Sequence, residues 1–270
     1  MTDSFWRDPP WRGGKGGYRM GLRPIEPDDW LRERIDVTER ERKRKLLQDP
    51  SSGVFAAIDG SLAGQRKILD AVSRAAGCTV HARDATPPPI VQASLLVPDD
   101  LCLMERTADT YQLTAACVCA PSYWRLAEKI GRTLDGIHAP VPTLNDKLAT
   151  SMRQFFARLP DDVVFERCNW LVHTDPALYQ PVSDKWHTIG AAEVTSLIVR
   201  SERQTLRRLD AATIVFTIRV TCRRLGDIAD HREAARDLRT ALNGLDTAER
   251  AAKGFDYFAP AVIDYLSHIA

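Results

Sequence analysis

The chain has 270 residues, 44% hydrophobic and 27% charged, with a formal net charge of +1. A chain of this length buries about three quarters of the surface it would expose unfolded, enough for a core with an internal cavity. The balanced charge gives no overall attraction to nucleic acid or to a membrane surface, and no apolar run is long enough to span a bilayer.

In chain order, residues 1–27 read as a flexible arm. Gly13, Gly14, Gly16 and Gly17 loosen it, and Pro24 and Pro27 break any helix. It carries no secretory apolar segment, so a cytoplasmic location is expected. Residues 28–95 read as a helical N-terminal extension. Its first helix, over 28–47, has Leu31, Ile35, Leu46 and Leu47 as its apolar positions. The interleaved charges from Glu39 to Lys45 predict a solvated face, with a basic docking site as the alternative. A short extended piece at 54–57 precedes a helix over 61–76, which turns Leu62, Ile68, Leu69 and Val72 inward and stops at Gly77. Pro87, Pro88 and Pro89 form a rigid connector.

Residues 96–225 change to strand character. Segments 101–106 and 111–119 read as a hairpin. Helices follow over 122–136 and 144–159. Strands are then expected at 163–172, 193–209 and 212–220, the last two joined so tightly that they must be antiparallel neighbours. Residues 226–270 hold two closing helices, about 227–242 and 247–268, with Gly244 between them. The expected architecture is α+β: a five-stranded antiparallel sheet with helices on one face, plus helical extensions at both ends in one compact unit. The order strand, strand, helix, helix, strand, strand, strand is that of a PAS-like domain enclosing a ligand cavity.

Several stretches bear on chemistry. In residues 119–142, Ser122 sits where it can cap a helix, and Leu126, Ile130 and Leu134 recur at helical spacing. Gly136 is placed to end that helix. His138 follows, ahead of Pro140 and Pro142, which stiffen the backbone. The histidine is either a satisfied polar group or an axial metal ligand; spacing supplies no second ligand. His173 closes a strand before Thr174-Asp175-Pro176, and either bonds within that turn or serves as a second candidate ligand. His81, His187, His231 and His268 lie in polar or terminal stretches and are expected to face solvent. Strand alternation puts Arg200, Glu202 and Gln204 on one face and Ser201, Arg203 and Thr205 on the other. That pattern fits a cross-strand charge ladder, or a polar wall that positions a cation, with arginines for anionic groups such as haem propionates. The six cysteines form no Cys-x-x-Cys pair, which argues against zinc and iron–sulfur sites and for buried, reduced thiols. No Gly-x-Gly-x-x-Gly, phosphate-binding loop or Gly-x-Ser-x-Gly is present.

Four motifs then stand in order: Met20-Gly21-Leu22-Arg23-Pro24, Trp124-Arg125-Leu126-Ala127-Glu128-Lys129-Ile130-Gly131, Ile137-His138-Ala139-Pro140-Val141-Pro142, and Glu202-Arg203-Gln204-Thr205-Leu206. Together they resemble the haem-dependent oxidative N-demethylase alpha-subunit family, over about Met20 to Gly254. Asn169-Trp170 and Phe216-Thr217-Ile218-Arg219 also fit. The resemblance implies a PAS fold binding haem b, and oxygen-dependent demethylation of dimethylamine to methylamine and formaldehyde. It also implies electrons from a separate flavin and iron–sulfur reductase subunit. On that basis His138 is the expected axial haem ligand, with His173 the alternative. Glu202 is expected to stabilise the bound ammonium, and Arg200 or Arg203 to anchor propionates. The expected partners are a small amine, dioxygen and the reductase, with no nucleic acid and no membrane. A haem-based gas or redox sensor, or a haem-free PAS-like binding module, is the alternative function.

Overall fold

The computed structural model describes residues 4–14, 20–78, 87–108, 110–138, 142–182 and 190–270. Its centre is a sheet of seven strands: β1 (Arg23–Ile25), β2 (Phe55–Ala57), β3 (Asp100–Arg106), β4 (Tyr111–Cys117), β5 (Val164–His173), β6 (Ile198–Arg208) and β7 (Thr213–Arg224). All neighbours are antiparallel, in the order β1-β5-β6-β7-β3-β4-β2. The sheet therefore has seven strands rather than the five expected. The added β1 and β2 are three-residue edge strands, too short to show an alternation of their own.

The long strands form where β-branched and aromatic residues are concentrated, as in Thr213-Ile214-Val215-Phe216-Thr217-Ile218, a continuous run suited to a strand covered on both faces. β6 and β7 meet through a tight turn: Leu209 donates to the Thr213 carbonyl at 2.8 Å, and the Asp210 carboxylate accepts from the Ala212 N–H at 2.9 Å. β6 starts at Ile198, not at 193, because residues Ala191–Ser196 form a 3-10 turn.

Directly paired residues share a sheet face. One face carries His173 and Asn169 of β5, Arg200, Glu202, Gln204 and Leu206 of β6, and Phe216, Ile218 and Val220 of β7. The opposite face carries Glu166 and Trp170, Arg203 and Thr205, and Thr217 and Arg219.

Helices cover both faces, not one. Over the first lie α5 (Leu134–His138) and α6 (Pro142–Arg158), with Leu134, Ile137, Phe155 and Phe156 packed against Met104, Leu206 and Phe165. The second is covered by the two extensions. There α3 (Leu62–Ala75) and α4 (Pro89–Ser94) bury Ile68, Leu69, Val72 and Ile90 against Leu101, Leu103 and Val215. As expected, α3 turns Ile68, Leu69 and Val72 inward and is followed by Gly77 with φ +67°, whereas Leu62, expected inward with them, is exposed in the first turn. Further along, α7 (Arg232–Asn243) and α9 (Ala259–Ile269), which flank the short α8 (Thr247–Ala252) in the chain, pack on Trp170, Val172 and Val199.

Part of the N-terminal arm is anchored. Residues Ser4–Arg7 form a short helix, α1, and Trp6 and Trp11 are buried in the apolar cluster that includes α7 and α9. The Trp11 indole donates to the Ala234 carbonyl at 2.9 Å.

Several helices differ from expectation. At the C-terminal end a 3-10 turn over Leu225–Asp230 precedes α7, and the helix expected over 247–268 is divided by a 3-10 turn at Phe255–Tyr257 into α8 and α9. Residues 28–36 are not helical beyond a 3-10 turn at Pro27–Asp29; the helix α2 (Val37–Gln48) begins behind Asp36, whose carboxylate accepts from the Glu39 N–H at 2.7 Å. Its charged run is not wholly solvated. Lys43 is fully buried and donates to the carbonyls of Ser94, Val97 and Asp99. Glu39 pairs with Arg219 at 2.8 Å.

The expected helix over 122–136 is absent. A 3-10 turn at Leu126–Glu128 and the short α5 replace it. Here the backbone pairs with β4: Gly131 donates to the Leu113 carbonyl, and Leu113 to the Arg132 carbonyl. Those bonds satisfy groups that a helix would have used internally.

Candidate functional site

The first sheet face becomes polar where β5 ends and β6 begins. Two loops close over it, 118–125 and 174–182. Tyr123 donates its N–H to the Gln180 carbonyl at 2.8 Å, and Gln180 donates to the Pro121 carbonyl at 3.3 Å. This clasp holds Tyr123 in the left-handed region at φ +62°, the sole non-glycine there among the described residues. Such a backbone costs about 1–3 kcal/mol and persists only where its surroundings impose it.

Arg200 is the buried anchor of the clasp. Its Nε donates to Ser122 Oγ at 2.8 Å. Its other nitrogens reach the carbonyls of Ala120 (2.8 Å), Pro121 (3.1 Å), Leu178 (2.8 Å) and Ala177 (3.2 Å). A guanidinium has five N–H groups in a fixed fork, and here protein acceptors take them. Ser122, expected to cap a helix, instead accepts from Arg200 and donates to Glu202 Oε1.

Glu202 is buried, and its remaining oxygen is held by neutral donors. Oε2 accepts from Asn169 Nδ2 at 3.2 Å and from Gln204 Nε2 at 2.9 Å. Among the described residues, none of the ion pairs includes Glu202. Beyond Asn169 lies Lys253, whose ammonium donates to Asn169 Oδ1 at 3.2 Å and to the Trp170 carbonyl at 2.9 Å.

His173 is 1% exposed and lies flat against Tyr123, with ring centroids 4.1 Å apart and planes 6° from parallel. Gln180 Nε2 donates to the carbonyls of Asp175 (2.8 Å) and Ala177 (2.7 Å), so its Oε1 is the atom that meets the imidazole. His173 Nδ1 therefore carries the proton and donates to that oxygen at 2.6 Å. Nε2 is left as a bare lone pair, buried and without a partner among the described residues. Burial pushes the imidazole down to about 4; Arg200 reinforces the shift, while Gln180 and Glu202 oppose it.

Of the residues singled out in the sequence, Glu202, Arg200 and His173 share this face. The α5 backbone ends at His138, but its side chain, with residues 139–141, lies outside the described residues, as do His81 and His187. Arg203 is on the opposite face. It donates to Glu166 at 2.7 Å and to the carbonyls of Trp30 and Asp29, fastening the N-terminal extension to the sheet. Both arginines expected to meet anionic groups are thus engaged by the protein itself. His231 is half-buried and stacks on Trp6, whereas His268 is exposed.

Ser122, Tyr123, Gln180 and Lys253 escaped sequence reasoning. Only a tertiary clasp gives them meaning, although the Asp175-Pro176 turn next to His173 marks where the loop begins.

Among the described residues, no helix is long and apolar enough to cross a membrane. None of the curated proteins matches the chain. A family model described as haem-dependent oxidative N-demethylase, alpha subunit-like, does match, over residues 65–263. That span holds β3 to β7, both clasp loops and Lys253, and the chain belongs to this family.

Proposed function

We propose that the chain is the haem-bearing subunit of an oxygen-using demethylase acting on a small secondary amine of the dimethylamine type. One N-methyl group leaves as formaldehyde and the primary amine remains. Electrons come from a separate flavin and iron–sulfur reductase, and the location is cytoplasmic. Family membership supports the haem and the reaction class. A PAS-like core is supported by the five middle strands, whose spatial order β4-β3-β7-β6-β5 is that of a PAS sheet.

The observation that carries the reading is a buried carboxylate, Glu202, held by neutral donors on the same face as an imidazole nitrogen that has no partner among the described residues. A carboxylate so placed completes its charge balance by taking up a cation, which suits a protonated amine. The face also fits haem. It offers the half-buried aromatics Phe216, Phe165 and Trp124, and one imidazole on a porphyrin iron needs no cluster of protein ligands. When bound, haem b supplies the redox chemistry and the place for dioxygen.

The protein's own part is to bind, orient and exclude water. Glu202 receives the ammonium; Ser122, Asn169 and Gln204 hold its oxygens in place. His138 is our choice of iron ligand, because α5 docks on this face through Leu134 and Ile137 and ends at that residue. His173 is the alternative, supported by its free Nε2 and its Nδ1–H bond to Gln180, the arrangement that fixes a ligand tautomer.

The test is amine-dependent oxygen consumption by haem-loaded protein supplied with a reductant, with formaldehyde measured as product. Haem binding without turnover of any small secondary amine would favour a sensor and refute the enzymatic reading.

A further inference from the structure

Among the described residues no strand pairs with the outer edge of β5 along residues 167–173, and the C-terminal region reaches that edge at Trp170. Lys253 is the residue that reaches it. Its turn depends on Gly254, which takes φ +68° and is poorly replaced by any other residue. The ammonium is buried over the rings of Trp170 (5.1 Å) and Phe255 (5.7 Å), and its hydrogen bonds go to the Trp170 carbonyl and to Asn169 Oδ1.

An amide can be turned either way round. With Oδ1 on the lysine, Asn169 must present Nδ2 to Glu202. Reversed, it would aim its oxygen at a carboxylate oxygen, which is repulsive. The cation therefore selects the orientation that supports the carboxylate, from a distance at which it does not itself pair with it.

We propose that Lys253 is a positioning residue for amine binding: its ammonium, acting through Asn169, holds the Glu202 carboxylate in the form that receives the substrate cation. This rests on the reading of Glu202 given above, and adds to it the C-terminal region as part of the site.

The chain Lys253–Asn169–Glu202 also makes the site pH-dependent. Burial pushes Lys253 down to about 8; Glu202 and Glu249 oppose that shift and Arg167 adds to it. As pH rises through about 8 the ammonium loses its proton, and the hold on Asn169 weakens.

The test compares haem-loaded wild type with Lys253→Met, Lys253→Arg and Glu202→Gln, measuring the amine KM and kcat from pH 7 to 9. Methionine keeps the packing against the two rings without the charge. At pH 7, Lys253→Met should raise KM about tenfold, the worth of one hydrogen bond to a charged group, with kcat little changed. The wild-type KM should climb toward that level above pH 8, while the variant stays flat. Lys253→Arg should keep the low KM through pH 9.

A second readout needs no turnover. In protein with 13C-labelled lysines, the Lys253 titration midpoint should fall in Glu202→Gln. A KM that falls in Lys253→Met, from relief of like-charge repulsion, would overturn the proposal. So would a Lys253→Met KM that exceeds the wild-type value by the same factor at every pH, or a midpoint unmoved by Glu202→Gln. If Glu202→Gln leaves the KM unchanged, the reading of Glu202 itself is wrong, and this inference falls with it.

Discussion

Replacing Arg200 by methionine separates two roles for this side chain. If it anchors an anionic group on the cofactor, its loss should weaken haem binding and leave the haem-free fold intact. The structure gives it another task, because its N–H groups hold Ser122 and the carbonyls of Ala120, Pro121, Ala177 and Leu178. Each buried acceptor left without a donor costs about 1–3 kcal/mol. The full sum is not reached, since a buried cation is also removed and water can enter beside the loops. A net loss on the order of 3–5 kcal/mol is expected, as for other buried charges stripped of one partner. For a chain of this size that is a fall in Tm of roughly 10 °C. Thermal and urea unfolding of the haem-free protein measure it. Arg200→Lys keeps the charge but has three donors without the planar fork, and should recover only part of the loss. Unchanged stability with weakened haem binding would refute the clasp and restore Arg200 as a cofactor contact.

Other predictions follow from single sites. Trp11→Ala should destabilise by about 3–5 kcal/mol in urea unfolding, since a fully buried indole and its bond to Ala234 are lost. Burial raises Asp99 to about 6 against the pull of Lys43, and its Oδ1 is without a partner among the described residues. Its raised value favours the fold at acid pH, and that contribution is lost as pH rises through about 6. Asp99→Asn should therefore gain up to about 3 kcal/mol at pH 7.5 and little at pH 4, seen as a changed slope of stability against pH. Glu166 behaves oppositely. Burial raises its carboxyl, but Arg203, Arg32 and Arg23 outweigh that and hold it below the usual range. Its contribution is present above about pH 4.3 and lost as pH falls through the lower folded value. Glu166→Gln should lower stability at pH 7 and remove that acid-side loss.

The core strands were legible because each face repeats at a period of two. The alternation that separates Glu202 from Arg203 holds in the register, Glu202 opposite Asn169 and Val220, Arg203 opposite Cys168 and Arg219. Helix α3 was legible for the same kind of reason. The stretch after Pro121 was not. Leu126, Ile130 and Leu134 have helical spacing, yet Leu126 and Leu134 are buried from a 3-10 turn and a separate short helix. Spacing records which residues face inward, and cannot separate a helix from a loop that folds back on a strand. Lys43 shows a different limit: its charge marked it as solvated, and only tertiary carbonyls explain its burial. At the site, Glu202 and His173 could be nominated by residue type. Their partners could not, because Ser122, Asn169, Gln180 and Lys253 lie up to 131 positions apart in the chain and are ordinary residues until folded together.

The most direct test is the absorption spectrum of the protein loaded with haem b, ferric and ferrous, with and without dimethylamine, in wild type, His138→Ala and His173→Ala. The wild type should show a Soret band that shifts on adding the amine, His138→Ala should lose the haem, and His173→Ala should keep it. A wild-type protein that takes up no haem would contradict the account at its root. Retention by His138→Ala with loss from His173→Ala would move the iron ligand to the imidazole beside Tyr123.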